Sequence, residues 1–137
     1  MQRRKLGTQG LEVSAIGLGC MGMAGVAGMA AMYGAVDIDE AVATIHRAID
    51  LGIDFLDTAE IYGPYANEEL VGRAIRGRRE QVTIATKFGF RLVDGRAQGT
   101  DSTPANIRKV CDASLKRLGI DVIEITSPVK HILAPLH

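Results

Sequence analysis

Three amphipathic segments, each closed by a glycine, alternate along this chain with short apolar runs, and that alternation restricts the fold more than any other feature. "DIDEAVATIHRAIDLG" opens with Asp37 and Glu40 at capping-box spacing, repeats apolar residues at Val42, Ile45, Ala48 and Ile49, and stops at Gly52. "NEELVGRAIRG" offers Asn67 as a cap, Glu68 and Glu69 in the first turn, and Gly77 past the end. "STPANIRKVCDASLKRLG" gives Thr103 as cap, Pro104 at the first helical position, apolar Ile107, Val110, Cys111, Leu115 and Leu118, and Gly119 as terminator. Between these helices, "IDFLDTA" reads as a strand ending at Asp57, "QVTIATKFG" as a buried strand ending near Lys87, and "IDVIEIT" as a fourth strand. The start, "RRKLGTQGLEVSAIGLG", reads as two short strands around a turn at Gly7 to Gly10, then a buried strand near Ala15 to Leu18. Residues 89–102 read as a polar, glycine-containing loop. Strands alternating with helices imply βαβ crossovers and a parallel sheet. Since a (β/α)₈ barrel takes about 250 residues, 137 residues hold roughly the first half of one, or a small open sheet.

Composition narrows the class further. Hydrophobic residues make up 47% of the chain, enough for one core, so residues 1–137 are expected to form a single domain. Sixteen basic and sixteen acidic residues cancel without any run of like charge, which argues against nucleic acid or an anionic membrane as partner. Cys20 and Cys111 lack metal-ligand or CxxC spacing, so a reduced, cytoplasmic protein without a disulfide is expected. The uncharged stretch from Val13 to Val36 is long enough to cross a bilayer, but six glycines dilute it, and the basic "MQRRK" leads into polar "GTQG" rather than an apolar signal core. No membrane association is expected.

Functional groups in parallel α/β folds gather at the carboxyl ends of strands, where Asp57 and Lys87 stand on neighbouring strands. Tyr62, in the loop after the Asp57 strand, can swing over the same end. A phenol beside an ammonium loses its proton more readily, so the three groups suit proton transfer to a carbonyl oxygen while hydride arrives from a nicotinamide. The plainer readings are a turn cap for Asp57, a half-buried loop aromatic for Tyr62 and a solvated lysine for Lys87. His46 reads as a solvated helix side chain without metal partners, and Cys111 as core. Cys20 either lines a substrate pocket or reacts with oxidants, and Met21, Met23, Met29 and Met32 suit a pocket wall or a packed loop. A rival pattern exists: "GLGCMG" matches G-x-G-x-x-G, with Asp37 about 20 residues on, as in a dinucleotide-binding Rossmann unit. Its helix from Met23 to Ala31 would contain Gly25 and Gly28, each costing about 1 kcal/mol relative to alanine. Its strand would run from Met32 to Val36, whereas Asp37 already serves as a cap.

"RRKLGTQGLEVSAIGLGCMGM", "FLDTAEIYG", "NEELVGRAI", "ATKFG" and "IRKVCDASLKRLGIDVIE" together resemble the amino-terminal part of the aldo-keto reductases, in the branch with a "GCMGM" loop. The resemblance covers residues 3 to about 124. It implies the amino-terminal half of a (β/α)₈ TIM barrel opened by a β-hairpin, and an oxidoreductase that reduces aldehydes and ketones to alcohols with NADPH. Carried over by motif, the catalytic residues are Asp57, Tyr62 and Lys87, and Gly22 and Met23, with Asp57, stand at the cofactor. The family's fourth catalytic group is a histidine after the fourth strand. Here the chain reads "IEITSPVKHILAPLH": Val129 takes that place, His131 follows two residues late as a surface tail residue, and Pro128 is expected to break the strand ladder. The loss of pattern after Glu124 makes residues 125–137 a divergent tail and points to truncation, a changed reading frame or an engineered end. The later strands, which bring the remaining cofactor contacts in the family, are absent. Two further expectations follow: self-association through open sheet edges, and the alternative of an inactive fragment or an association-dependent subunit.

Overall fold

Eight residues, "RRKL" and "LEVS", flank the chain's first turn, and glycines at both ends of that turn, Gly7 and Gly10, take the positive φ that side chains avoid. The result is an antiparallel hairpin of β1 (Arg3–Leu6) and β2 (Leu11–Ser14). The computed structural model describes residues 1–24 and 37–128. After β3 (Leu18–Gly19) and a single 3₁₀ turn at Met21–Met23, the described chain resumes at α1 (Ile38–Asp50). It continues through β4 (Phe55–Asp57), α2 (Ala66–Ile75), β5 (Thr83–Phe88), β6 (Phe90–Val93), β7 (Arg96–Thr100), α3 (Pro104–Leu118) and β8 (Ile125–Pro128).

Strands β3, β4, β5 and β8 form one parallel sheet in that order. Leu56 and Ile84 face the helices and enter a core with Ile45 and Ile49 of α1, Val71 and Ile75 of α2, and Leu118 at the end of α3. The period of two then leaves Phe55 and Asp57 on the opposite face. Helices α2 and α3 approach closely at Gly72, where an added Cβ would lie 2.5 Å from the Leu118 carbonyl oxygen. Asp54 ties the hairpin to the sheet, accepting from the Ser14 N–H at 2.7 Å and from Arg3 Nη1 at 2.6 Å.

Several sequence expectations need correction. The strand after the hairpin is Leu18–Gly19 rather than a buried Ala15–Leu18. Among the described residues it is an edge strand paired only with β4, and Ile16 is 59% exposed. Residues 89–102 contain the hairpin β6–β7, turned by Asp94 and Gly95, both at positive φ, as a two-residue Asp-Gly turn requires. The fourth strand begins at Ile125, since Glu124 turns its carboxylate onto the Ile84 N–H and the Arg79 guanidinium. Pro128 lies in that strand, level with Phe88, instead of breaking the pairing before it. Asp37 caps α1 and Thr103 caps α3 as expected, but Asn67 lies inside the first turn of α2, whose cap position is Tyr65. His46 is half-buried and donates from Nε2 to the Ala74 carbonyl at 2.8 Å, joining α1 to α2. Cys111 is only half-buried rather than core. Val129, His131, Met29, Met32 and most of the rival reading's helix and strand lie outside the described residues. Among the described residues, no helix is long and apolar enough to cross a membrane.

Candidate active site

Register places the three candidate groups together. Asp57, the last residue of β4, stands level with Ala85 of β5, and Lys87 lies two residues further along the same face. The lysine therefore reaches back across one strand spacing. Its Nζ donates to both Asp57 carboxylate oxygens, at 2.7 and 2.8 Å, and to the Thr58 carbonyl at 3.0 Å. It also donates to the Tyr62 phenol oxygen at 3.3 Å and sits 5.0 Å from the ring centroid. The turn-cap reading of Asp57 and the solvated-lysine reading of Lys87 are thus overturned. Both side chains stay partly open to solvent, 39% for Asp57 and 23% for Lys87.

Local structure explains why Tyr62 arrives there. The residues after β4 fold into tight turns: the Tyr62 N–H donates to the Ala59 carbonyl and the Tyr65 N–H to the Glu60 carbonyl. Thr58 fixes the base of this turn. Its N–H joins the Ala85 carbonyl, and its hydroxyl donates to Asn67 Oδ1 at 2.6 Å. Asn67 in turn donates from Nδ2 to the Cys20 carbonyl at 2.7 Å, so one buried amide ties β4, α2 and the loop after β3. Because the phenol oxygen accepts from Lys87, its own proton is free to point outward. A carbonyl oxygen placed there would receive a proton from a group whose resulting charge faces an ammonium.

The loop carrying Gly22 and Met23 abuts this site through its backbone. The Cys20 N–H donates to the Asp57 carbonyl at 2.8 Å and the Met23 N–H to the Cys20 carbonyl at 2.9 Å. Gly22 is exposed, whereas Met23 packs against the core. The Cys20 side chain does not line an open pocket: it is fully buried, and desolvation, aided by the nearby Asp57 charge, pushes its thiol up to about 12. Such a thiol is inert toward oxidants, which corrects the reactive reading. Sequence reasoning missed Thr58, Asn67 and a second buried cluster in which Glu68 accepts from the Thr86 hydroxyl and from Arg117 Nε, both at 2.6 Å. Only the short spacing of Thr58 from Asp57 hinted at any of them.

A family model described as the aldo/keto reductase family matches residues 15–127. The chain belongs to the aldo/keto reductase family. Among solved structures, a holo form of an aldo-keto reductase from Bacillus halodurans superposes with a TM-score of 0.78 at 36% identity, covering 93% of this chain and 40% of that one. A glycerol dehydrogenase from Gluconobacter oxydans gives 0.75 at 34%, covering 92% and 38%. An aldo/keto reductase from Klebsiella pneumoniae, in complex with NADP and acetate, gives 0.64 at 30%, covering 86% and 36%. The chain therefore spans less than half the length of these relatives, and its parallel sheet is the amino-terminal half of their (β/α)₈ barrel. Asp37, which the Rossmann reading needs on a ribose, is the cap of α1 and accepts from the Asp39 and Glu40 N–H groups.

Proposed function

We propose that this chain carries the proton-handling half of an NADPH-dependent carbonyl reductase site that converts aldehydes and ketones to alcohols. The observation that carries the reading is the contact of Lys87 Nζ with both oxygens of Asp57 and with the Tyr62 phenol. Tyr62 is the proton donor to the substrate oxygen. Lys87 stabilises the charge left on the phenol, and Asp57 keeps the lysine ionised and aimed. NADPH, when bound, supplies the hydride. Room near Asp57 supports a place for its nicotinamide end: Gly22 is exposed, and Gly19, level with Asp57, has no atom near where a Cβ would stand. Lys87, committed to Asp57, Thr58 and Tyr62, has no donor left for a cofactor phosphate. The protein is cytoplasmic in this reading, with a small carbonyl compound as substrate.

Fluorescence titration with NADPH tests the proposal. Micromolar binding, with reduction of a small aldehyde that falls at least about 100-fold in Tyr62→Phe, supports it. Absence of binding up to millimolar cofactor overturns it for this chain alone. A second reading, that of an association-dependent subunit, is favoured by the two sheet edges, since β3 and β8 each pair on one side only among the described residues.

A further inference from the structure

Glu60 lies two residues before Tyr62 in the turn between β4 and α2, and the proton-transfer scheme does not use it. Its residue is 5% exposed, yet its Oε1 is buried without a hydrogen-bond partner. The charges that act on it come from two helices: Arg117 of α3 attracts it and Glu68 of α2 repels it. Arg117 is already engaged. Its Nε donates to Glu68, its Nη2 donates to Ser114 at 3.1 Å, and its guanidinium stacks 4.7 Å from the Tyr65 ring centroid. Thr86 of β5 supplies the other contact to Glu68 and carries no charge. Two buried carboxyl groups thus compete for one guanidinium, and Glu68 holds it.

The same cluster supports the turn bearing Tyr62. Tyr65 is held at φ +69, a conformation that costs a non-glycine residue energy, while its N–H closes the turn on the Glu60 carbonyl and its ring rests under Arg117. The Tyr62 carbonyl accepts from the Asn67 N–H at 3.2 Å. Arg117, Tyr65 and Tyr62 are thus linked through one turn.

We infer that Glu60 is a proton-linked positioning residue for Tyr62: neutral, it leaves Arg117 on Glu68 and Tyr65, and ionised, it draws the guanidinium toward itself and shifts the turn. The proton is exchanged with water and no other bond is made or broken. Burial first, then repulsion by Glu68, pushes the Glu60 carboxyl up to about 7 against the pull of Arg117, so both forms are populated near neutrality. The inference rests on the proposed role of Tyr62 for its catalytic consequence.

NMR of the whole chain, labelled with carbon-13 at glutamate carboxyl and tyrosine ring positions and titrated from acid to alkaline pH, tests it. The expected result is a Glu60 carboxyl titrating near neutrality and a Tyr62 ring resonance, assigned with Tyr62→Phe, that shifts with the same midpoint. Glu60→Gln should abolish the ring shift, and Glu68→Gln should lower the common midpoint. A Glu60 carboxyl that titrates in the ordinary carboxylate range overturns the inference, as does a Tyr62 ring unmoved while Glu60 titrates or a ring shift that survives Glu60→Gln. If a variant fails to fold, the paired titration of the unaltered chain decides. Co-titration in a chain that does not bind NADPH refutes the reductase reading alone, and NADPH binding with an unresponsive ring refutes only this inference.

Discussion

Lys87 has three N–H donors and faces four acceptor atoms, of which the Tyr62 oxygen at 3.3 Å is the most distant. The ammonium therefore rests mainly on Asp57 and reaches the phenol by its longest contact. Asp57→Asn should weaken that arrangement in a selective way. The pair is partly exposed, so its loss should cost no more than about 1 kcal/mol of stability, while on the proposed function any reduction of a carbonyl substrate should fall about 100-fold. Thermal unfolding and turnover, measured on the same variant, check the split. Glu60 sets a second expectation. Its carboxyl ionises at about 7 when folded against 4.5 in an unconstrained chain, so between these values the folded state keeps a proton the unfolded state has released. Stability should then fall as pH rises through that window, by at most about 1.4 kcal/mol per pH unit, and level off above it. Urea unfolding at several pH values should show this slope, and Glu60→Gln should flatten it.

Gly72 is where helix packing leaves no room for a side chain. A Cβ there would meet the Leu118 oxygen at 2.5 Å and the Leu118 carbonyl carbon at 2.8 Å, and backbone atoms at a helix end cannot swing aside as a side chain can. Gly72→Ala should force α2 and α3 apart and destabilise the chain by about 2–3 kcal/mol, although alanine is the better helix former. Denaturant midpoints decide the sign. The three helices were legible because their signals are local: Asp37, Thr103 and the left-handed Gly119 act within a few residues of the elements they bound. Asn67 was misread for the complementary reason, since a cap and a bridge to Thr58 and Cys20 present the same residue before a helix. In the β6–β7 hairpin the Asp94-Gly95 signal was present, but the residues of β7, all exposed, lack the alternation that marks a strand. His46 looked solvated because its acceptor, the Ala74 carbonyl, belongs to another helix. At the site, Asp57, Tyr62 and Lys87 were legible from strand ends and motif, whereas Glu60, Glu68 and Arg117 meet only once α2 and α3 are packed.

Across the molecule, the sheet has four parallel strands and two open edges among the described residues. Ile16, just before β3, and Val122, just before β8, are each 59% exposed. Such edges and apolar residues favour pairing with a second chain. Light scattering should therefore report dimers or larger species, and Ile16→Glu combined with Val122→Glu should shift the population toward monomer without lowering the melting temperature. A compact, stable monomer in the unaltered chain would count against association. The Lys87 contacts to Tyr62 and Asp57 span only 25 and 30 residues of sequence. Both contacts lie among β4, β5 and the turn between β4 and α2, so they need no later strand. In any longer relative that starts this way, emerging from a ribosome at about 5–20 residues per second, the Tyr62 phenol and the Lys87 ammonium could meet while the later half of the barrel was still being synthesised.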